Sequence, residues 1–254
     1  MAGLATDQGL FALILIFVRI GAALMLMPGF SEAYVFSRSR LLLALVLSAV
    51  LTAPLIDQLP AMPERMDQLV LLVVGEAILG VFIGGTTRIM FATLHIAGST
   101  IAVQSGLATA SVFDPNQSTQ GTLPGNFLTT VAMVLLFVTD GHHMLLRGIV
   151  DSYRFFEAGM SLPIDDMMMF ITSVVQDGFD LGVQIAAPLL LVGLLTNLAM
   201  GILNRLMPTF QVFFIALPLQ LLLSFATLML SFATGILVFF SFVDAKYGIL
   251  TQGG

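Results

Sequence analysis

Long apolar runs separated by short polar stretches dominate the sequence. Few of the runs contain a charged residue, and several approach the ~20 residues that an α-helix needs to cross a bilayer. The alternation typical of outer-membrane strands is absent, and runs this long contradict it. The pattern predicts an all-α, multi-span helical membrane protein with six to eight helical segments, and the runs cover residues 9–28, 41–56, 69–87, 89–113, 126–139, 181–204 and 206–243.

The last apolar run is too long for a single span. It covers 38 residues without a charge and contains Pro218. One straight helix of that length would measure about 57 Å, whereas the hydrocarbon core is about 30 Å thick. Because proline removes one backbone hydrogen bond of a helix, we expect two helical arms here, as a hairpin or a broken helix.

Composition agrees with a membrane protein. The chain is 58% hydrophobic and 9% charged, whereas a soluble domain is about 45–50% apolar and about 25% charged. Its surface must therefore face lipid or apolar protein. A net charge of −6 with a single lysine, Lys246, argues against a nucleic-acid partner. The first run contains Arg19 and no positive segment precedes it, so we expect a retained helix and one integral membrane domain over residues 1–254.

Small and polar residues recur at every fourth position in two of the apolar runs. Residues four apart share a helix face, and glycines at this spacing let helix backbones approach closely in an apolar medium. Contact between helices of one subunit and contact between subunits both remain open. The two stripes are Glu76, Gly80, Gly84 and Arg88, and Gly193, Asn197, Gly201 and Arg205.

Glu76 is an acidic residue inside an apolar helix. A carboxylate in that position is a functional candidate, for instance in a proton path. The alternative is that Arg19 or Arg88 neutralises it. We favour neutralisation, because a transport relay normally needs several acidic groups within the spans.

Few residues have the spacing of a catalytic or metal site. His142 and His143 follow Asp140, but adjacent histidines cannot share a helix face, unlike an i, i+4 pair. Phosphate-binding loops and nucleophile elbows are absent from the sequence, and there is no cysteine. We therefore expect no enzymatic activity, no cofactor and no metal.

Several ordered motifs resemble the FliR/SctT family of export-gate proteins. Residues 98–115 read GSTIAVQSGLATASVFDP, and residues 137–142 read FVTDGH. The segments at 187–205 and 207–219, including TNLAMGILNR and VFFIALPL, match further motifs in the same order. The resemblance covers about residues 10–245 and adds Pro208 and Pro218 to the positions expected to shape helix packing and assembly.

This resemblance implies a subunit of the flagellar protein export gate in the bacterial inner membrane, at the base of the flagellar basal body. Members of the family form kinked helical hairpins in a hetero-oligomeric spiral gate. The implied partners are FliP-type and FliQ-type membrane subunits, the large FlhB-type and FlhA-type components, unfolded protein substrates and lipid. A gate subunit of a virulence-type injectisome is the alternative within the family.

The resemblance also implies a central loop that plugs the conduit, at about residues 106–124. A constriction of small apolar residues excludes water and ions when it is closed, and a residue before proline disfavours helix, so Asp114-Pro115 should end the preceding helix. A plain surface connection is the alternative for this loop. The expected gate residues are Gly106, Leu107, Ala108, Val112, Phe113, Asp114 and Pro115.

Two functions outside the export gate remain. A small-molecule secondary transporter would also be apolar with broken helices, but the spans contain few of the ionisable groups that coupling needs. A structural scaffold for a membrane motor would tolerate changes in the central loop without loss of export.

Overall fold

The computed structural model describes residues 7–108, 121–160, 162–207 and 212–252, without the side chains of 212–215 and 250–252. Val112, Phe113, Asp114, Pro115 and Pro208, which the sequence marks as site residues, lie outside these ranges. The described residues contain no strand. They form α1 (Asp7–Leu26), α2 (Ser37–Leu55), a 3-10 turn (Ile56–Gln58), α3 (Met66–Ser105), α4 (Leu123–Val138), α5 (Gly141–Phe155), α6 (Ile164–Leu206) and α7 (Val212–Gln252).

Five of these helices are long and apolar enough to cross a membrane: α1, α2 with its 3-10 turn, α3, α6 and α7. The pair α4 and α5, which bends at a short break, counts as a sixth candidate if it is one span. Length and composition thus confirm the predicted all-α, multi-span class.

Arg88 separates two apolar runs of the sequence without ending a helix. The runs at 69–87 and 89–113 belong largely to one helix, α3, which continues for 40 residues. Arg88 extends from the helix surface, and its Nη1 donates a hydrogen bond to the Ser31 hydroxyl at 3.1 Å. A charged side chain that reaches a polar partner in this way leaves the backbone hydrogen bonds of the helix intact.

The predicted break at Pro218 is wrong. Helix α7 runs unbroken over 41 residues with Pro218 inside it, and α6 likewise contains Pro188. A proline removes one backbone hydrogen bond, and membrane helices tolerate that loss where neighbouring groups compensate for it. Because Pro218 is the seventh residue of α7, most of the helix lies beyond the missing bond.

Backbone contacts group the chain into two compact units. Unit 1 comprises residues 1–90, 136–174 and 245–254, and unit 2 comprises residues 91–135 and 175–244. Helices α3, α4, α6 and α7 contribute residues to both. The core of unit 1 is built on the buried face of α1, including Leu15, Ile16, Ile20 and Leu24.

Within unit 1, α3 packs closely on α1 through two glycines of the first stripe. A Cβ added at Gly80 would collide with the carbonyl oxygen of Arg19, and one added at Gly84 would collide with that of Ala23. Only glycine permits this approach of two backbones. The structure therefore places the first stripe against a helix of the same chain.

We expect Gly84→Ala to destabilise the protein by about 1–3 kcal/mol, because the new methyl group overlaps the α1 backbone, which can give way only by moving the helix. Thermal unfolding of the detergent-purified protein would measure the loss. The control is Gly75→Ala on the same helix, where an added Cβ meets nothing within 4 Å. That change should be neutral or stabilise the helix by up to about 1 kcal/mol. Equal unfolding temperatures for the two variants would contradict the close packing.

Candidate functional site

A buried ion pair between Arg19 of α1 and Glu76 of α3 lies in unit 1. The Arg19 Nε donates to Glu76 Oε2 at 2.5 Å, and its Nη2 donates to Oε1 at 2.9 Å. The two side chains are 0% and 1% exposed. A two-pronged, fully enclosed pair of this kind is the strong form of an arginine–carboxylate interaction.

Arg19 also binds the C-terminal end of α5. Its Nη1 donates to the Ser152 hydroxyl at 3.1 Å, and its Nη2 donates to the carbonyl of Phe156 at 3.0 Å. The guanidinium carbon lies 3.7 Å from the centre of the Tyr153 ring, which is a close cation–π contact. One arginine thus joins α1, α3 and the end of α5.

This arrangement identifies the partner of Glu76. Of the two arginines that the sequence offers, the structure pairs it with Arg19, whereas Arg88 contacts Ser31. A cavity of about 330 Å³ lies beside Glu76, with Glu157 as the other acidic residue of its otherwise mostly apolar lining. Both carboxylate oxygens of Glu76 nevertheless accept bonds from Arg19, so the side chain is held as one half of an ion pair.

The second stripe behaves differently from the first. At its start, an added Cβ on Gly193 would collide with the side chain of Gln104 in α3, so this glycine also packs within the chain. Farther along α6, Asn197, Gly201 and Arg205 are exposed, and none of the described residues lies within 4 Å of a Cβ built on Gly201. Four-residue spacing alone therefore does not distinguish a covered face from an open one.

The described ends of the central loop border one apolar cavity in unit 2. Gly106 follows α3 with a φ of +77°, a conformation that suits glycine. Leu107 lies near the start of the predicted loop and Leu123 near its end, and both line a cavity of about 760 Å³. Its other lining residues come mainly from α3, α4 and α7 and are mostly apolar, among them Ile101, Phe127 and Phe232. Ala108, the last described residue in the first part of the loop, is half-buried.

The break between α4 and α5 brings an acidic residue and two histidines together. Asp140 has a φ of +58°, which a non-glycine residue rarely adopts. The Phe137 ring stacks on His142 with centroids 4.9 Å apart, and the His142 and His143 centroids are 4.1 Å apart. Candidate ligand atoms of Asp140, His142 and His143 all lie within 4.8 Å of one another. The helix-face argument does not apply here, because these residues occupy a turn and the first residues of a helix.

Comparison with known proteins assigns the family. The family model "Bacterial export proteins, family 1" matches residues 10–245. The chain belongs to this family.

Family members from several bacteria are similar over most of their length. The flagellar biosynthetic protein FliR of Caulobacter vibrioides is 34% identical, with 91% of this chain and 92% of that protein covered. FliR of Bacillus subtilis is 33% identical over 85% of this chain and 84% of its own. The secretion system apparatus protein SsaT of Salmonella typhimurium is 27% identical, with 63% of this chain and 62% of that protein covered.

Three of the residues that contact Arg19 could not be identified as site residues from the sequence motifs. Ser152, Tyr153 and Phe156 lie far from Arg19 along the chain and belong to none of the motifs noted above. Helical periodicity could have found the first two, since they share the buried face of α5 with Leu145 and Ile149. The identity of their partner depends on the fold.

We expect Arg19→Leu to destabilise the protein by about 3–5 kcal/mol, because it leaves the Glu76 carboxylate buried without a counter-charge. The double variant Arg19→Leu/Glu76→Leu should be more stable than the single one, since it removes that charge as well. Thermal and denaturant unfolding in detergent would compare them.

The matched control is Arg65→Ala, which breaks an exposed pair with Asp67 and should cost about 1 kcal/mol or less. If the double variant is no more stable than Arg19→Leu, the unpaired Glu76 carboxylate is not the cause of the lost stability.

Proposed function

We propose that this chain is a subunit of the flagellar type III protein export gate and helps to form and seal the inner-membrane conduit for unfolded substrates, without enzymatic activity. The observation that supports this most is the family match over residues 10–245. Relatives named flagellar biosynthetic protein FliR also align over about nine-tenths of both chains. We propose that the chain lies in the bacterial inner membrane, at the base of the flagellar basal body.

Exposed apolar faces support a role inside a larger membrane assembly. The end of α6 is exposed at every described residue from 201 to 207, and on α7 Met229 and Leu230 are 84% and 85% exposed. Such faces need lipid or apolar protein against them. We propose FliP-type and FliQ-type subunits as the neighbours that cover part of them, with the FlhB-type and FlhA-type components as further partners.

The open half of the second stripe is our candidate for an assembly contact. Asn197, Gly201 and Arg205 are exposed beside Leu198 and Ile202. A glycine with free space around it permits close approach of a second helix in an apolar medium. The first stripe, which already packs on α1, stabilises the subunit that carries this surface.

The flagellar system is favoured over the injectisome by the extent of similarity. FliR of Caulobacter vibrioides matches at 34% identity over 91% of the chain, and SsaT matches at 27% over 63%. Loss of the chain should therefore abolish flagellar assembly and swimming. Intact flagella together with lost secretion of a virulence substrate would support the injectisome instead.

Isolation of the tagged chain from native membranes in mild detergent, followed by native mass spectrometry, would test the assembly. We expect one large complex with several copies of smaller apolar helical proteins. Gly201→Leu should reduce their recovery, because its side chain fills the space left for a neighbouring helix. Gly248→Leu, at another glycine with open space, is the control. Recovery of a lone chain that binds a small solute would favour a secondary transporter.

The central loop gives a second functional prediction. We propose that it seals the resting gate, so deleting residues 111–119 should increase ion leakage across the membrane of cells that contain the assembled complex. Replacing the same nine residues by a glycine–serine segment keeps the connection but removes Val112 and Phe113. Membranes that contain this variant should also leak ions. Unchanged leakage in both variants, with assembly intact, would show that the loop is only a connection.

A further inference from the structure

We propose that Asp140, His142 and His143 form a binding site for a divalent transition-metal ion of the zinc class, at the break between α4 and α5. One carboxylate and two imidazoles each offer a ligand atom, and these atoms lie within 4.8 Å of one another. Ligands of one tetrahedral zinc ion are about 3.3–3.6 Å apart, given metal–ligand distances of about 2.0–2.2 Å. The exposed side chains of Asp140 and His143 would rotate to bring their ligand atoms onto the same ion as His142.

His142 provides a second, independent observation in favour of a metal ion. Its Nδ1 is buried and has no hydrogen-bond partner among the residues that the structure describes, and an unsatisfied buried polar atom is unfavourable. A bound metal ion would satisfy this nitrogen. The ring is also held in place, because Phe137 stacks on it and packs edge-on against Phe30, with centroids 5.8 Å apart. Fixed orientation of a ligating imidazole is a regular feature of protein metal sites.

The other two ligands are accessible from solvent. The side chains of Asp140 and His143 are 77% and 69% exposed, and Asp140 Oδ1 lies 3.4 Å from His143 Nδ1. Asp140 precedes α5, but its side chain makes no capping hydrogen bond to the helix. Its carboxylate is thus available to a metal ion, and its negative charge offsets the positive end of the α5 dipole, which would otherwise repel a cation.

The ligand types select the class of ion. Imidazole nitrogens favour Zn²⁺, Ni²⁺, Cu²⁺ and Co²⁺, whereas Mg²⁺ and Ca²⁺ favour sites made entirely of oxygen. Three protein ligands leave at least one position for water or for a fourth ligand. Because the ligands belong to the turn and the first residues of α5, binding would stabilise the break between the two helices in its present conformation. The inference does not depend on the proposed export function.

Cobalt provides the direct test, because its visible absorption reports nitrogen and oxygen ligands. The full chain, purified in detergent with an affinity tag that lacks histidine and stripped with a chelator, is titrated with CoCl₂ and then with ZnCl₂. We expect one Co²⁺ per chain, displaced by Zn²⁺, and a higher melting temperature with Zn²⁺ bound. Loss of a residue that only supports a ligand weakens metal binding about 10–100-fold, so Asp140→Asn and His143→Ala should each weaken it at least about tenfold.

The control is His95→Ala, which removes an exposed histidine of α3 and should bind Co²⁺ like the unaltered chain. Asp140→Asn and His143→Ala alter exposed side chains, so their effect is separable from misfolding, which the melting temperature without metal would reveal. Equal Co²⁺ binding by the unaltered chain and by a folded His142→Ala/His143→Ala variant would overturn the proposal. So would the absence of stoichiometric Co²⁺ absorption in the folded, unaltered chain.

Discussion

The buried Arg19–Glu76 pair is the interaction on which the rest of unit 1 depends. A charge removed from water costs several kcal/mol unless it is paired and its remaining donors are bonded. Here the guanidinium binds both carboxylate oxygens, the Ser152 hydroxyl and the Phe156 carbonyl, and stacks on Tyr153. Because every one of these contacts requires the same relative positions of α1, α3 and α5, the pair specifies a single arrangement of three helices.

Close packing of α1 and α3 makes that pair geometrically possible. Gly80 and Gly84 follow Glu76 along α3 and let it lie against the backbone of α1 at Arg19 and Ala23. Since lipid is as apolar as a leucine side chain, burial of apolar surface does not itself drive helices together in a membrane. Close backbone contact and a polar pair supply the specificity instead, and large apolar side chains remain outside on α6 and α7.

The exposed end of α6 and the packed middle of α3 show what four-residue spacing of small residues does and does not predict. Both stripes place small or polar residues four apart and end in an arginine, yet Gly84 lies against α1 whereas Gly201 is open. A stripe indicates that a helix can approach closely, while the neighbour that approaches is set by the rest of the fold. In the proposed export gate, that neighbour for α6 belongs to another subunit.

The sequence by itself determined the class of this protein, because apolar runs of helical length and a scarcity of charge leave few other physical possibilities. It also determined the family, through several ordered motifs over residues 10–245. It predicted a break at Pro218 that α7 does not have, since the loss of one backbone hydrogen bond does not end a long helix. Only the tertiary structure decided that Glu76 pairs with Arg19 and that Asp140, His142 and His143 converge. Arg19 and Glu76 lie 57 residues apart along the chain, a separation that carries no information about their distance in space. Asp140, His142 and His143 are close in sequence, and it is the backbone conformation at the break, with Asp140 at a φ of +58°, that brings their side chains together.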